Sequence, residues 1–162
     1  VPHSTCVDKF QLPKQPDDKR AMVSGNQKLR NKDFDGAIID FSRAISINPS
    51  NCGYYLIRAN TREKKRDYAS AVADYTQALE HGWEDKDVIF ISRAEVRERV
   101  GDLDGAIADY TLMIEIKPKD ADSYRRRGLM KQKKGDAKGA AADMESKVVN
   151  AGAFTALGIS FF

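Results

Sequence analysis

Glu95 and Glu98 stand three residues apart in a helical stretch, close enough to consider as an acid–base couple. Four aspartates, Asp40, Asp74, Asp109 and Asp143, recur at steps of 34, 35 and 34 residues and suggest an array of acids. Their recurrence argues against catalysis, because an active site is normally unique whereas one residue type repeated at one slot is a structural ladder. The glutamate pair is read as a peptide-contact or solvated pair. His3 and His81 have no cysteine, serine or metal-ligand partner at a suggestive spacing, and Cys6 and Cys52 lack the spacing of metal ligands. A disulfide between these two cysteines would require the N-terminal tail to fold back. No glycine-rich loop follows a strand. The expectation is a non-enzyme with no catalytic residue, metal or cofactor.

The elements that position these residues are copies of one pattern. It reads DFDGAIIDFSRAISINPSN from Asp33, DYASAVADYTQALEHGWED from Asp67 and DLDGAIADYTLMIEIKPKD from Asp102, with a weaker DAKGAAADMESKVVN from Asp136. Ala37, Ala71, Ala106 and Ala140 share one slot; Phe41, Tyr75, Tyr110 and Met144 share another. A period of this length marks a supersecondary unit stacked on itself, since one unit cannot bury its apolar face alone. In the second unit the apolar spacing predicts helices over about 52–65 and 69–81. Asp33, Asp67, Asp102 and Asp136 each precede a second helix and can accept from its free N–H groups. Pro49 and Pro118 end second helices, because proline cannot continue the ladder. Small residues (Gly25, Ala59, Ala94 and Gly128) imply close helix approach, and the aromatic stripe beside them reads as core.

The fold class is therefore all-α, a solenoid of four helical hairpins. The expected units are 18–51, 52–86, 87–120 and 121–150, between an extended leader at 1–17 and an apolar segment at 151–162. Arg58, Arg93 and Arg127 form a column expected to pair with the aspartates across adjacent helices, as partly exposed pairs contributing ~0.2–1 kcal/mol each.

Composition agrees. The 162 residues are 41% hydrophobic and 31% charged, with a formal charge of +3, too small to imply a polyanion partner. No apolar run approaches the roughly 20 residues of a membrane span. The last unit gathers Lys117, Lys119, Arg125, Arg126, Arg127, Lys131, Lys133, Lys134 and Lys138 against Asp120, Asp122 and Asp136. Few aromatics interleave it, so the cluster reads as a solvated face partly consumed by the ladder, and nucleic acid is not expected. The chain opens at Val1 without an initiator methionine, the mark of a processed or cut chain. A cytoplasmic setting is expected, with export after signal-peptide removal the alternative.

The small–large columns resemble the tetratricopeptide repeat family. The motif residues are Gly25, Ala37, Phe41, Ala44 and Pro49, then Tyr55, Ala59, Tyr68, Ala71, Tyr75 and Ala78. They continue through Phe90, Ala94, Ala106, Tyr110 and Pro118 to Tyr124, Gly128 and Ala140. Departures are local: Trp83 replaces a terminating proline before an enlarged turn, and Lys147 replaces a small residue in a capping last unit.

The resemblance implies a scaffold that binds a peptide or partner protein along a concave groove lined by the first helices. By alignment the groove columns are Met22, Leu56, Ile91 and Arg125; Asn26, Asn60, Glu95 and Leu129; and, at the edge, Arg30, Lys64, Arg99 and Lys133. The basic column would favour an acidic segment or a terminal carboxylate. The family's carboxylate clamp for chaperone tails would occupy Met22, Asn26, Ile57, Val88 and Ser92, of which only Asn26 matches, so such tails are not expected. Phe154, Leu157, Ile159, Phe161 and Phe162 form an uncharged segment expected to cap the last helix. A structural element that self-associates through this segment, giving a homodimer, is the alternative function; a basic adaptor for an anionic partner is the third.

Overall fold

Each hairpin is made by the same short stretch of backbone chemistry. In a computed structural model, which describes residues 16–152 and side chains as far as residue 145, the chain forms α1 (Asp17–Arg30), α2 (Phe34–Ile47), α3 (Cys52–Lys64) and α4 (Tyr68–Glu80). It continues with α5 (Lys86–Val100), α6 (Leu103–Ile116), α7 (Ala121–Lys133) and α8 (Ala137–Gly152). No strand occurs among the described residues. The leader, with His3 and Cys6, and the apolar residues Phe154, Leu157, Ile159, Phe161 and Phe162 lie outside the described residues, as does the side chain of Lys147.

The capping aspartates act as their positions suggest. Asp33, Asp67, Asp102 and Asp136 accept from the amides of Gly36, Ser70, Gly105 and Gly139, three residues into the second helix. Their own amides donate back to the carbonyls of Lys28, Arg62, Arg97 and Lys131 at 2.8–2.9 Å, closing the first helix. One aspartate thus ends one helix and begins the next. The reversal needs a left-handed residue immediately before it, and Lys32 (φ 60°), Arg66 (φ 66°), Gly101 (φ 79°) and Gly135 (φ 85°) supply it. Only two of these are glycine, so the first two turns carry the steric cost of a side chain there.

Helices approach closely where side chains are small. Ala37, Ala59, Ala71, Ala94 and Ala106 are fully buried, as are the ring-bearing Phe41, Tyr75 and Tyr110. A Cβ on Gly25 would lie 2.5 Å from the Phe41 ring, and one on Gly128 would lie 3.3 Å from the Ala140 carbonyl. A continuous core links the first three hairpins through Tyr55, Ala59, Tyr75 and Ile89, and a second gathers Ala94, Ala106, Tyr110 and Met130. Each helix packs chiefly on its neighbours in the chain, as expected of a solenoid. The turn after α4 spans residues 81–85, one residue longer than those after α2 and α6. Gly82 (φ 84°) turns it, His81 stacks on Tyr55 at 5.0 Å, and Trp83 packs onto the core where proline stands elsewhere.

The arginine–aspartate columns pair as expected, but at greater depth. Arg58, Arg93 and Arg127 each grip Asp74, Asp109 and Asp143 with two nitrogens at 2.6–3.0 Å. Arg93 and Asp109 are 8% and 0% exposed, a buried pair and not the partly exposed one expected from periodicity, which reports a residue's face and not its depth, while Arg58 and Arg127 stay half-buried over buried aspartates. Each arginine's remaining amine donates to a hydroxyl on the preceding hairpin: Ser42, Thr76 and Thr111, at 2.9, 2.9 and 3.1 Å. A second cation one turn on, Arg62, Arg97 or Lys131, completes each carboxylate's shell at 2.7–2.9 Å.

Removing one partner of such a pair leaves the other buried and unpaired, at about 3–5 kcal/mol. Arg93→Met should lower the urea unfolding free energy by about that amount, and Arg93→Met with Asp109→Leu should recover most of it; an additive double variant would show that the two groups do not act together. Gly101→Ala, which meets no steric neighbour but must hold a positive φ, should cost about 1–2 kcal/mol, while Arg66→Gly should raise the melting temperature.

Candidate functional site

The first helices of successive hairpins leave open clefts between them. A cleft of about 570 Å³ is bordered by Leu29, Arg30, Lys32, Phe34 and Lys64. The next, about 360 Å³, is bordered by Asn60, Glu63, Lys64 and Arg99. A third, about 540 Å³, is bordered by Glu95, Glu98, Arg99, Arg126 and Lys133. Lys64 belongs to the first two and Arg99 to the last two, so the three form one run along α1, α3, α5 and α7.

The aligned columns fare unequally. The edge column, Arg30, Lys64, Arg99 and Lys133, borders the run along its whole length. From the second column Asn60 and Glu95 border it, whereas Asn26 is half-buried beside α2 and Leu129 packs on the second core. The first column does not border these clefts. Met22 and Leu56 pack against the larger core, Ile91 is half-buried, and Arg125 is engaged by Asp122 at 2.5 and 3.0 Å.

Glu63 escapes sequence reasoning, and Glu98 is read there only with Glu95. The two stand one residue before Lys64 and Arg99, at one slot 35 residues apart, and that recurrence is the signal. Each takes a cation from the following hairpin, Arg99 on Glu63 at 2.8 Å and Lys133 on Glu98 at 2.6 Å. Arg126 bridges Glu95 at 2.9 Å and Asp122 at 2.7 Å. The electrostatics therefore differ along the run. Beyond Lys64 the cations are largely matched by carboxylates, whereas no carboxylate borders the first cleft, where Arg30, Lys32 and Lys64 surround Leu29 and Phe34. The basic cluster of the last hairpin is also matched: Lys117, Arg125, Arg126, Arg127, Lys131, Lys133 and Lys134 all sit in ion pairs. Among the described residues no group of acids, histidines and cysteines is arranged to hold a metal, and no helix is long and apolar enough to cross a membrane.

No family model matches the chain. Solved structures do. The crystal structure of MamA aligns with a TM-score of 0.71 at 16% identity, covering 86% of this chain and 81% of that one. A tetratricopeptide repeat protein from Parabacteroides merdae aligns at 0.70 and 18% identity, covering 82% of this chain and 52% of its own. The chain has the tetratricopeptide-repeat fold. The first such domain of Spaghetti (RPAP3), solved with the HSP90 peptide SRMEEVD, aligns at 0.62 and 18% identity over 74% of this chain and 94% of that domain. A curated relative, the small glutamine-rich tetratricopeptide repeat-containing protein 2 of Saccharomyces cerevisiae, is 35% identical over 57 residues. That stretch is 35% of this chain and 16% of the relative.

Within the tetratricopeptide frame, ionisation reports how tightly the carboxylates are held. Burial pushes the Asp143 carboxyl up, but hydrogen bonds from Arg127 and Lys131 outweigh it and the net shift is downward. Asp122 is likewise lowered, burial being overcome by Arg125 and Arg126. A carboxyl depressed in the folded state stabilises the fold above its unfolded pKa of about 3.9 and loses that contribution as pH falls through the folded value. Asp143→Asn should therefore lower the urea midpoint at pH 7, and the gap from wild type should narrow as pH falls through the depressed folded-state value; a pH-independent gap would mean that the charge is not what stabilises.

Proposed function

We propose that the chain is a non-enzymatic scaffold that binds an extended segment of a partner protein along the first-helix face. The observation carrying this reading is the run of three clefts joined by Lys64 and Arg99 beside four cations at one slot. Leu29 and Phe34 offer apolar contact in the first cleft, with Arg30, Lys32 and Lys64 around them and no bordering carboxylate. An acidic stretch or terminal carboxylate next to an apolar side chain suits that end. Asn60 presents an amide to the second cleft, able to pair with a peptide backbone. Met22, Asn26, Leu56, Ile91, Arg125 and Leu129 serve this reading as support for the face and not as its first contacts.

The chaperone-tail clamp is not proposed: its slots hold Met22, Ile57, Val88 and Ser92 beside Asn26, and likeness to an RPAP3 domain at 18% identity concerns the fold. A basic adaptor for a polyanion is disfavoured by the ion pairing of the last hairpin.

The test is Arg30→Glu with Lys64→Glu, both exposed and outside the arginine–aspartate clamp. Partners captured from source-cell extract by the wild-type chain should bind the double variant at least about tenfold more weakly by titration, with helicity unchanged. Partners held equally by both would move the binding surface off this face.

A further inference from the structure

One connection between hairpins is built unlike the other two. The connections 48–51 and 117–120 carry Pro49 and Pro118, and the last residue of each caps the next helix. Asn51 accepts from the Gly53 amide at 3.1 Å and Asp120 from the Ser123 amide at 3.3 Å. The connection 81–85 is one residue longer, and Asp85, at the same capping slot, makes no such bond to α5. Glu84 beside it is exposed, as Asp85 is, and among the described residues neither carboxylate takes part in a hydrogen bond or ion pair. Both border a cleft of about 290 Å³ together with Trp83, Cys52 and Gly82. This cleft shares no residue with the three along the first helices.

The fold itself shows what an aromatic ring beside a carboxylate holds. Arg58, Arg93, Arg99 and Arg127 each lie over a ring at 5.5–5.9 Å, and each is gripped at the same time by a carboxylate. The two groups act on different parts of one guanidinium, the ring on its face and the carboxylate on its N–H edge. Trp83 brings the ring type that attracts cations most strongly, with two carboxylates next to it, and no cation of the described residues lies over it. We propose that this cleft receives an arginine side chain of a partner protein, its guanidinium on the Trp83 indole and its N–H edge on Glu84 and Asp85. The space is at the small end of ligand clefts, which run ~300–1,000 Å³, and suits one long side chain. Arginine is preferred to lysine because a planar guanidinium both stacks and pairs through two N–H groups, whereas an ammonium is a point charge. The site is separate from the first-helix face, so a segment bound there leaves it open.

The probes are end-blocked pentapeptides of glycine with a central arginine, lysine or citrulline, the last an uncharged isostere of arginine, titrated into the isotope-labelled chain and followed by NMR. Trp83 is the one tryptophan of the chain, so its indole N–H gives a single resonance, and the Gly53 and Gly82 amides report beside it. The arginine peptide should shift these resonances saturably and bind at least about tenfold more tightly than the citrulline peptide, with lysine between them. Glu84→Gln with Asp85→Asn alters two exposed side chains that hold nothing in the fold, and should bring the arginine peptide down to the citrulline level. Trp83→Leu, read on the two glycine amides with helicity unchanged, should weaken the arginine peptide about threefold or more. Equal arginine and citrulline affinities, a preference that survives loss of both carboxylates, or shifts confined to the first-helix clefts would overturn the proposal. So would the same resonances moving with protein concentration alone, since the occupant would then be a second copy of this chain.

Discussion

A carboxylate buried at one slot of the second helix in the second, third and fourth hairpins governs how this solenoid is assembled. Asp74, Asp109 and Asp143 are 0–3% exposed, and a charge at that depth is tolerable only when its full complement of donors is delivered. The donors come from fixed places: an arginine sixteen residues earlier on the facing helix, and a second cation one turn further along it. The arginine is then itself short of an acceptor, and finds it in a hydroxyl of the preceding hairpin. Three helices are tied by one ionic cluster. Geometry, more than net stabilisation, is the result, because desolvating the pair offsets much of its attraction.

The first hairpin shows the same logic from its edge. At the arginine slot it carries Ser24, whose hydroxyl donates to Asp40 at 2.6 Å, with Lys28 as the second cation at 2.8 Å. Asp40 is more exposed than its counterparts, and an exposed carboxylate needs fewer donors. Because the clusters lie between the helices of each hairpin, the outer side of the first helices is free to vary. There a second set of ties runs between hairpins, Arg99 to Glu63 and Lys133 to Glu98, and these also form the walls of the clefts.

Much of the fold was legible because each structural role recurs in register. A capping aspartate, a small residue and a large ring repeated over several copies leave little freedom in reading the helices. The clamp was half legible: the arginine and aspartate columns are visible as columns, but their burial is not, since periodicity carries direction without depth. Its third arm was hidden by the commonness of serine and threonine, although Ser42, Thr76 and Thr111 keep the same steps of 34 and 35 residues. The site was less legible. The basic edge column is visible as a column and borders the clefts, yet its pairing with Glu63 and Glu98 depends on the rotation between successive hairpins, which no single repeat encodes. The columns carry no depth for Met22, Leu56 and Leu129, whose half-buried side chains pack beside the cores, because an apolar residue near the boundary of a face is drawn toward the larger apolar surface.

Repetition also makes departures from it interpretable. Where copies agree, the residues serve stacking, since stacking is what every copy must do. Asn60 becoming Glu95, and Ser92 becoming Arg126, change nothing that stacking requires: the rings of Tyr75 and Tyr110 are buried alike in the two hairpins. What changes is the surroundings of the second hydroxyl, where Arg126 of the next hairpin stands beside Tyr110 and pairs with Glu95. Both departures, Glu95 and Arg126, border the third cleft, so what they change lies on the open face and not in the stack.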